Sequence, residues 1–277
     1  MKPDTSLGSI TVVAVIACGI VGVMTVAGSR VQAQESPRTL VAIFAHPDDE
    51  QVVSPLLARY AREGADVHLV IATDGQKGVE DHAGIPAGEA LATARAAEAR
   101  CACEKLGIHP PVLLGLVDGD LHKTENKATL LREVARLFTE LKPDVVVTWG
   151  PDGVTGHTDH RMISSVVSEL VQRSATDAPR QLFYAGLSTE HLGEISVPAA
   201  QGMLEQFAFV RDRYLPVRIA YQQEDAQAAA TSLACHESQY TPEEAALMNN
   251  LARHLENGSV RLRPWFVDPG RLTDLFE

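Results

Sequence analysis

The alternation of short apolar runs with helix-spaced segments is what most constrains this chain. Thr39–Ala45 (TLVAIFA) reads as a fully buried strand, Val52–Glu63 as a helix closed by Gly64, and Val67–Thr73 (VHLVIAT) as a second strand stopped by Asp74-Gly75. Glu89–Leu106 is Ala-rich and helical up to Gly107, and Val112–Val117 reads as a third strand. Lys127–Leu141 follows as a helix, Asp144–Trp149 (DVVVTW) as a fourth strand, His157 to about Arg173 as a helix, and Gln181–Leu187 as a fifth strand. This order predicts an α/β fold, a Rossmann-like doubly wound, mainly parallel sheet in a three-layer α/β/α arrangement. Beyond Glu190 the pattern loosens to a strand near Phe207–Val210, helices around Ala220–Cys235 and Pro242–Leu255, and a terminal strand near Val260–Val267. No internal repeat or linker divides this stretch, so one domain is expected.

Ahead of it, Thr5–Ser29 carries no charge and Ile10–Gly28 is almost wholly apolar. Lys2 precedes this run, and Val31-Gln32-Ala33 places small residues where a signal peptidase reads. Residues 1–33 are therefore expected to be a signal peptide and 34–277 the working domain, exported to the periplasm or beyond the cell, with no stable membrane insertion after cleavage. An uncleaved anchor is one alternative, because the run is just long enough to span a bilayer. Lipidation at Cys18 is another, although the apolar run continues well past that residue.

Of 277 residues, 24 are Lys or Arg and 36 are Asp or Glu, a formal charge of −12. Nucleic acid is a poor partner for such a chain. Cys101 and Cys103 lie two apart in a predicted helix, where their side chains diverge. They read first as small buried residues; pairing of one of them with Cys235 in an oxidising compartment is the alternative.

Ligands of a doubly wound sheet bind beyond the carboxyl ends of its strands, and the unusual residues stand there. The first strand runs into Ala45-His46-Pro47-Asp48-Asp49-Glu50. His46 and Asp49 can bend round one ion, and Asp48 between them stays free. Acids suit a helix N-terminus, but His46 does not. The fourth strand runs into a Gly-rich stretch ending Gly156-His157-Thr158-Asp159-His160. Its two histidines share one helix face, and Asp159 is placed to orient one of them. Spacing alone does not choose between His157 and His160 as a ligand. No cysteine lies in either cluster, so His46, Asp49 and one of these histidines make three ligands and leave a coordination position for water, as in catalytic sites. Asp48 fits the general base beside it. No G-x-S-x-G elbow or P-loop points to other chemistry.

The A-H-P-D-D-E stretch with the later G-H-T-D-H resembles the PIG-L/LmbE family of metal-dependent deacetylases. Thr73-Asp74-Gly75, Arg95-x-x-Glu98 ahead of Leu106-Gly107, and His236-x-Ser238-Gln239 agree with it, so the likeness spans roughly residues 39–240. The resemblance implies an LmbE-like fold, and His46, Asp49 and His160 as ligands of Zn2+ or another divalent transition metal. It implies Asp48 as the base that activates water, and His157 as the group that stabilises the oxyanion or protonates the leaving amine. It also implies that Arg95 faces the substrate, an N-acyl (acetyl) amino-sugar derivative, small or oligosaccharide. Asp74 and His236 are weaker substrate-binding candidates; a surface arginine, a turn aspartate and an ordinary helix histidine are the alternatives for the three. Where some members carry a tyrosine two residues before the first histidine of the second motif, this chain has Thr155. A metal-dependent amidase on a non-sugar conjugate and a non-catalytic carbohydrate-binding protein are the competing functions.

Overall fold

Residues of both parities in the first strand are apolar, and this decides where the strand goes. The computed structural model describes residues 38–173, 178–194, 204–265 and 273–275. In β1 (Thr39–Phe44), Leu40, Ala42 and Phe44 pack into one apolar layer with Leu56, Leu57 and Tyr60 of α1 (Ser54–Arg62) and Ala99, Cys103 and Leu106 of α2 (Glu89–Leu106). Val41 and Ile43 face the opposite layer, built from Leu130, Val134 and Phe138 of α3 (Thr124–Leu141) and Ile163, Val166 and Val167 of α4 (Thr158–Arg173). A strand covered on both faces belongs at a sheet centre.

The sheet has seven strands in the order β3-β2-β1-β4-β5-β7-β6, with β2 at Asp66–Thr73, β3 at Val112–Leu116, β4 at Val145–Trp149, β5 at Gln181–Ala185, β6 at Val217–Ala220 and β7 at Ser259–Pro264. The first five in this order are parallel, with Val41 opposite both His68 and Val146. β7 runs antiparallel to β5 and β6. The strand order reverses between β1 and β4, so the two chemically loaded loops leave the sheet side by side at the switch point.

Pro37–Glu277 forms one compact unit. Residues 1–33, read as a signal peptide, lie outside the described residues, as do 266–267 at the end of the expected terminal strand. No described helix is long and apolar enough to cross a membrane. Two expectations need correction. Phe207–Val210 forms no strand, Val210 making only a single bridge to Ser188; the strand is Val217–Ala220, where Val217 and Ile219 alternate inward at 0% exposure. The chain then enters α5 (Gln223–Leu233) and α6 (Pro242–Glu256), the latter started by a Thr241–Glu244 capping box. The cysteines also differ: Cys103 is buried and free, but Cys101 of α2 is disulfide-bonded to Cys235, just beyond α5. The Cys101 side chain points away from the core that Cys103 fills, as a two-residue offset on a helix requires.

Candidate active site

The loop after β1 is wound tightly round one carboxylate. Asp49 Oδ2 accepts hydrogen bonds from the backbone of Ala45 (3.0 Å) and His46 (2.9 Å) and from Trp149 Nε1 (3.1 Å). These donors saturate Oδ2 and leave Oδ1 directed at His160 Nε2, 3.2 Å away. His160 Nδ1 donates to the Gly153 carbonyl at 2.8 Å, and its ring stacks on Trp149 with centroids 4.6 Å apart. A Cβ on Gly153 would stand 3.0 Å from His160 Cβ, and its φ is +68°, so glycine is needed for this approach.

His46 Nε2 lies 3.1 Å from Asp118 Oδ1 and 3.4 Å from Asp159 Oδ2, so two carboxylates flank that nitrogen. Its Nδ1 lies 3.1 Å from His160 Nε2, at hydrogen-bond distance. His160 Nε2 thus lies within 3.2 Å of both His46 Nδ1 and Asp49 Oδ1, a contact set that needs a proton or a metal cation among its members. The surrounding charge agrees. Burial alone would lower the pKa of His46, but Asp118, Asp159 and Asp49 hold it well above the ordinary histidine value; burial would raise Asp49, but His160 and His46 hold it well below the carboxylate range.

Among the described residues, two groups of donor atoms close to within 4.8 Å: His46, His157 and His160, and His46, Asp118 and Asp159. In the second, Asp159 is fully buried and its oxygens accept from the backbone of Gly119 (2.7 Å) and Leu121 (3.1 Å), while Asp118 Oδ2 accepts from Lys77 N (3.0 Å). Asp159 was expected to orient a histidine of its own cluster; it lies instead against His46, because the start of α4 packs on the loop after β3. His157 is exposed and accepts the Asp159 N–H at Nδ1 (3.2 Å), so its Nε2 carries the hydrogen. Burial, then His46 and His160, keep its pKa below the ordinary value.

Asp48, expected to stay free, is braced. Its φ is +102°, a conformation costing an L-residue about 1–3 kcal/mol, which neighbours must hold in place. Oδ1 accepts from Arg95 Nη2 at 3.0 Å, Oδ2 accepts from Tyr240 Oη at 3.2 Å, and its N–H donates to Glu50 Oε2 at 3.1 Å. Burial raises the Asp48 pKa, and Arg95 opposes that shift.

The three substrate-binding candidates each have partners within the protein. Arg95 is 3% exposed; its guanidinium donates to the carbonyls of Gly75 (3.2 Å) and Pro47 as well as to Asp48, leaving it neither a surface group nor a hand held out to substrate. A Cβ on Gly75 would lie 2.7 Å from Arg95 Nη1, which explains the glycine after Asp74. Asp74 holds the loop, accepting from Gln76 N (3.1 Å) and Asp118 N (3.3 Å). His236 is fully buried and bonds Glu50 at 2.7 Å. Glu98 accepts from Ser238 N and Oγ, both at 2.7 Å, so the two outlying motifs meet each other rather than the substrate. Sequence reasoning missed Asp118, Glu50 and Tyr240. Asp118 directly follows the third strand end, where ligands were already expected, and that was the available signal. For Tyr240 only its position next to Gln239 hinted at a role.

A doubly wound sheet with convergent histidines and carboxylates at its switch point, next to a braced aspartate, defines an enzyme site able to hold a metal. Residues 41–171 match the family model described as PIG-L, GlcNAc-PI de-N-acetylase. The chain is 30% identical over 223 residues to the 1D-myo-inositol 2-acetamido-2-deoxy-alpha-D-glucopyranoside deacetylase of Mycobacterium sp. (strain KMS), covering 71% of this chain and 67% of that one. Among solved structures it resembles N,N'-diacetylchitobiose deacetylase from Pyrococcus horikoshii (TM-score 0.63, 16% identity, 82% of this chain and 84% of that one). It also resembles the 4-carboxy-2-hydroxymuconate hydratase of Pseudomonas putida KT2440 (TM-score 0.57, 17% identity, 86% and 98%). The chain belongs to the PIG-L family and is an enzyme. Because a hydratase shares the fold, the reaction has to be argued from the site.

Proposed function

We propose that this protein hydrolyses the N-acyl group, acetyl in the simplest case, of an amino-sugar derivative, with a divalent metal held by His46, Asp49 and His160. The observation that carries this reading is the position of His160 Nε2, 3.1 Å from His46 Nδ1 and 3.2 Å from Asp49 Oδ1, beside the braced Asp48. When bound, zinc or another transition metal supplies Lewis acidity and lowers the pKa of water. Asp48 takes the proton of the attacking water, and its burial-raised pKa makes it the stronger base. His157 is neutral and carries its hydrogen on Nε2, so it suits donation to the carbonyl oxygen as negative charge develops there, and suits protonation of the amine less. Asp48 returns the proton to the departing nitrogen as the C–N bond breaks, giving carboxylate and free amine. Asp118 and Asp159 flank the His46 ring and orient it.

The chain works, on this reading, as an exported single domain freed of its first 33 residues. The Cys101–Cys235 disulfide supports an oxidising compartment. Loaded with zinc, the purified protein should release acetate and free amine in equal amounts from N-acetylglucosamine derivatives, and lose that activity on chelation. No release from any member of such a panel would overturn the proposal.

A further inference from the structure

A cavity of about 290 Å3 opens from the site and is lined on one side by Asp48, Asp49, Trp149 and His160. Away from these residues the walls are mostly apolar, with Asn249, Arg253 and Glu256 of α6 as polar exceptions. Ala226, Ala229 and Leu233 form one stripe of α5, and Met248, Ala252 and Leu255 form one stripe of α6, each at helical spacing. Phe207 and Leu187 close a further side.

The chain direction shows where this cavity leads. α6 begins just after Tyr240, whose hydroxyl touches Asp48. Its lining residues run on from Met248 to Glu256, about 12 Å of helix. Tyr221, ahead of α5, and Glu256, at the end of α6, meet at 2.7 Å. They mark the end remote from the base. Burial raises the Glu256 carboxyl to about 7, and Arg253 of the same helix also lines the cavity.

Resting on the deacylase reading above, we infer that this channel receives the acyl chain of the substrate and that the protein removes a medium-length alkanoyl group in preference to acetyl. A scissile carbonyl placed between Asp48 and His160 has two substituents. Sugar hydroxyls would be stripped of water along the stripe of Ala229, Leu233, Met248 and Leu255, where Asn249 and Arg253 offer few partners for many hydroxyls. An alkyl chain gains from the same surface. The amine side therefore lies toward the exposed His157.

The test compares kcat/KM of the zinc-loaded protein on N-acetylglucosamine, N-octanoylglucosamine and the octyl glycoside of N-acetylglucosamine. It adds calorimetric titration of decanoate into metal-free protein. Each methylene that enters the channel should raise kcat/KM about fourfold until it is filled, giving N-octanoylglucosamine an advantage of at least about tenfold. Ala229→Phe and Ala252→Phe, checked by circular dichroism for retained fold, should bring the octanoyl-to-acetyl ratio back toward one and remove decanoate binding. An advantage for the octyl glycoside instead would overturn the acyl assignment. Hydrolysis indifferent to acyl length, with no decanoate bound, would overturn the channel inference and leave the deacylase reading intact. Decanoate binding lost in both variants, with no amide hydrolysed, would support the channel and refute the deacylase reading.

Discussion

Replacing Arg95 with methionine separates a brace from a substrate grip. The variant keeps an apolar stem but strands the Pro47 and Gly75 carbonyls and removes the countercharge 3.0 Å from Asp48 Oδ1. Both side chains are largely buried, at 4% and 14% exposure, so surface-pair values do not apply. Breaking one member of a buried ion pair costs about 3–5 kcal/mol. At 2–4 °C per kcal/mol for a domain of this size, Tm should fall by roughly 6–20 °C. Activity should change in a specific way. Burial raises the Asp48 pKa while Arg95 holds it down, so losing Arg95 raises it further. A base works deprotonated, so the acid limb of kcat/KM should move to higher pH. Arg95→Lys should recover little, because an ammonium cannot reach three acceptors with the planar guanidinium geometry. Differential scanning calorimetry and a pH–rate profile on the same preparations read both effects. A variant within about 0.5 kcal/mol of wild type, with a raised KM and an unmoved acid limb, would refute the brace and restore the substrate-gripping arginine.

Two other predictions concern stability. The Cys101–Cys235 bond joins positions 134 residues apart, so Cys101→Ser with Cys235→Ser should lower unfolding free energy by up to about 5 kcal/mol in urea titration, and a loss below about 1 would show that the bond constrains little. Glu256 has a folded pKa of about 7 against an ordinary 4.5, so the native state holds the extra proton and stability falls as pH rises between these values. Glu256→Gln should therefore match wild type near pH 4 and exceed it at pH 8 by up to about 3 kcal/mol; equal stability at both pH values would contradict the burial argument.

The parallel half of the sheet was legible because strands buried on both faces are written as continuous apolar runs: TLVAIF and VVVTW could be little else. The edge pair was not. Val217–Ala220 is four residues long, and a strand that short carries too few alternations to stand out from the helix that follows. Histidines and carboxylates after strand ends betrayed the site because such groups are costly to place there without a partner. What they touch is a property of the packing. Arg95 sits among alanines on α2 and looks like any surface arginine in one dimension; only the approach of the loop after β1 turns it inward. Asp159 likewise serves His46, more than a hundred positions away, and not the histidines beside it. Cys101 and Cys235 could be suspected but not paired, because their proximity depends on how α5 lies against α2.

The most direct test of the central claim measures metal content and acetate release together in Asp48→Asn and His160→Ala. Asp48→Asn should keep its metal and lose nearly all turnover, whereas His160→Ala should lose the metal itself. Turnover retained by Asp48→Asn, or full metal occupancy in His160→Ala, would contradict the assignment of base and ligand on which the account stands.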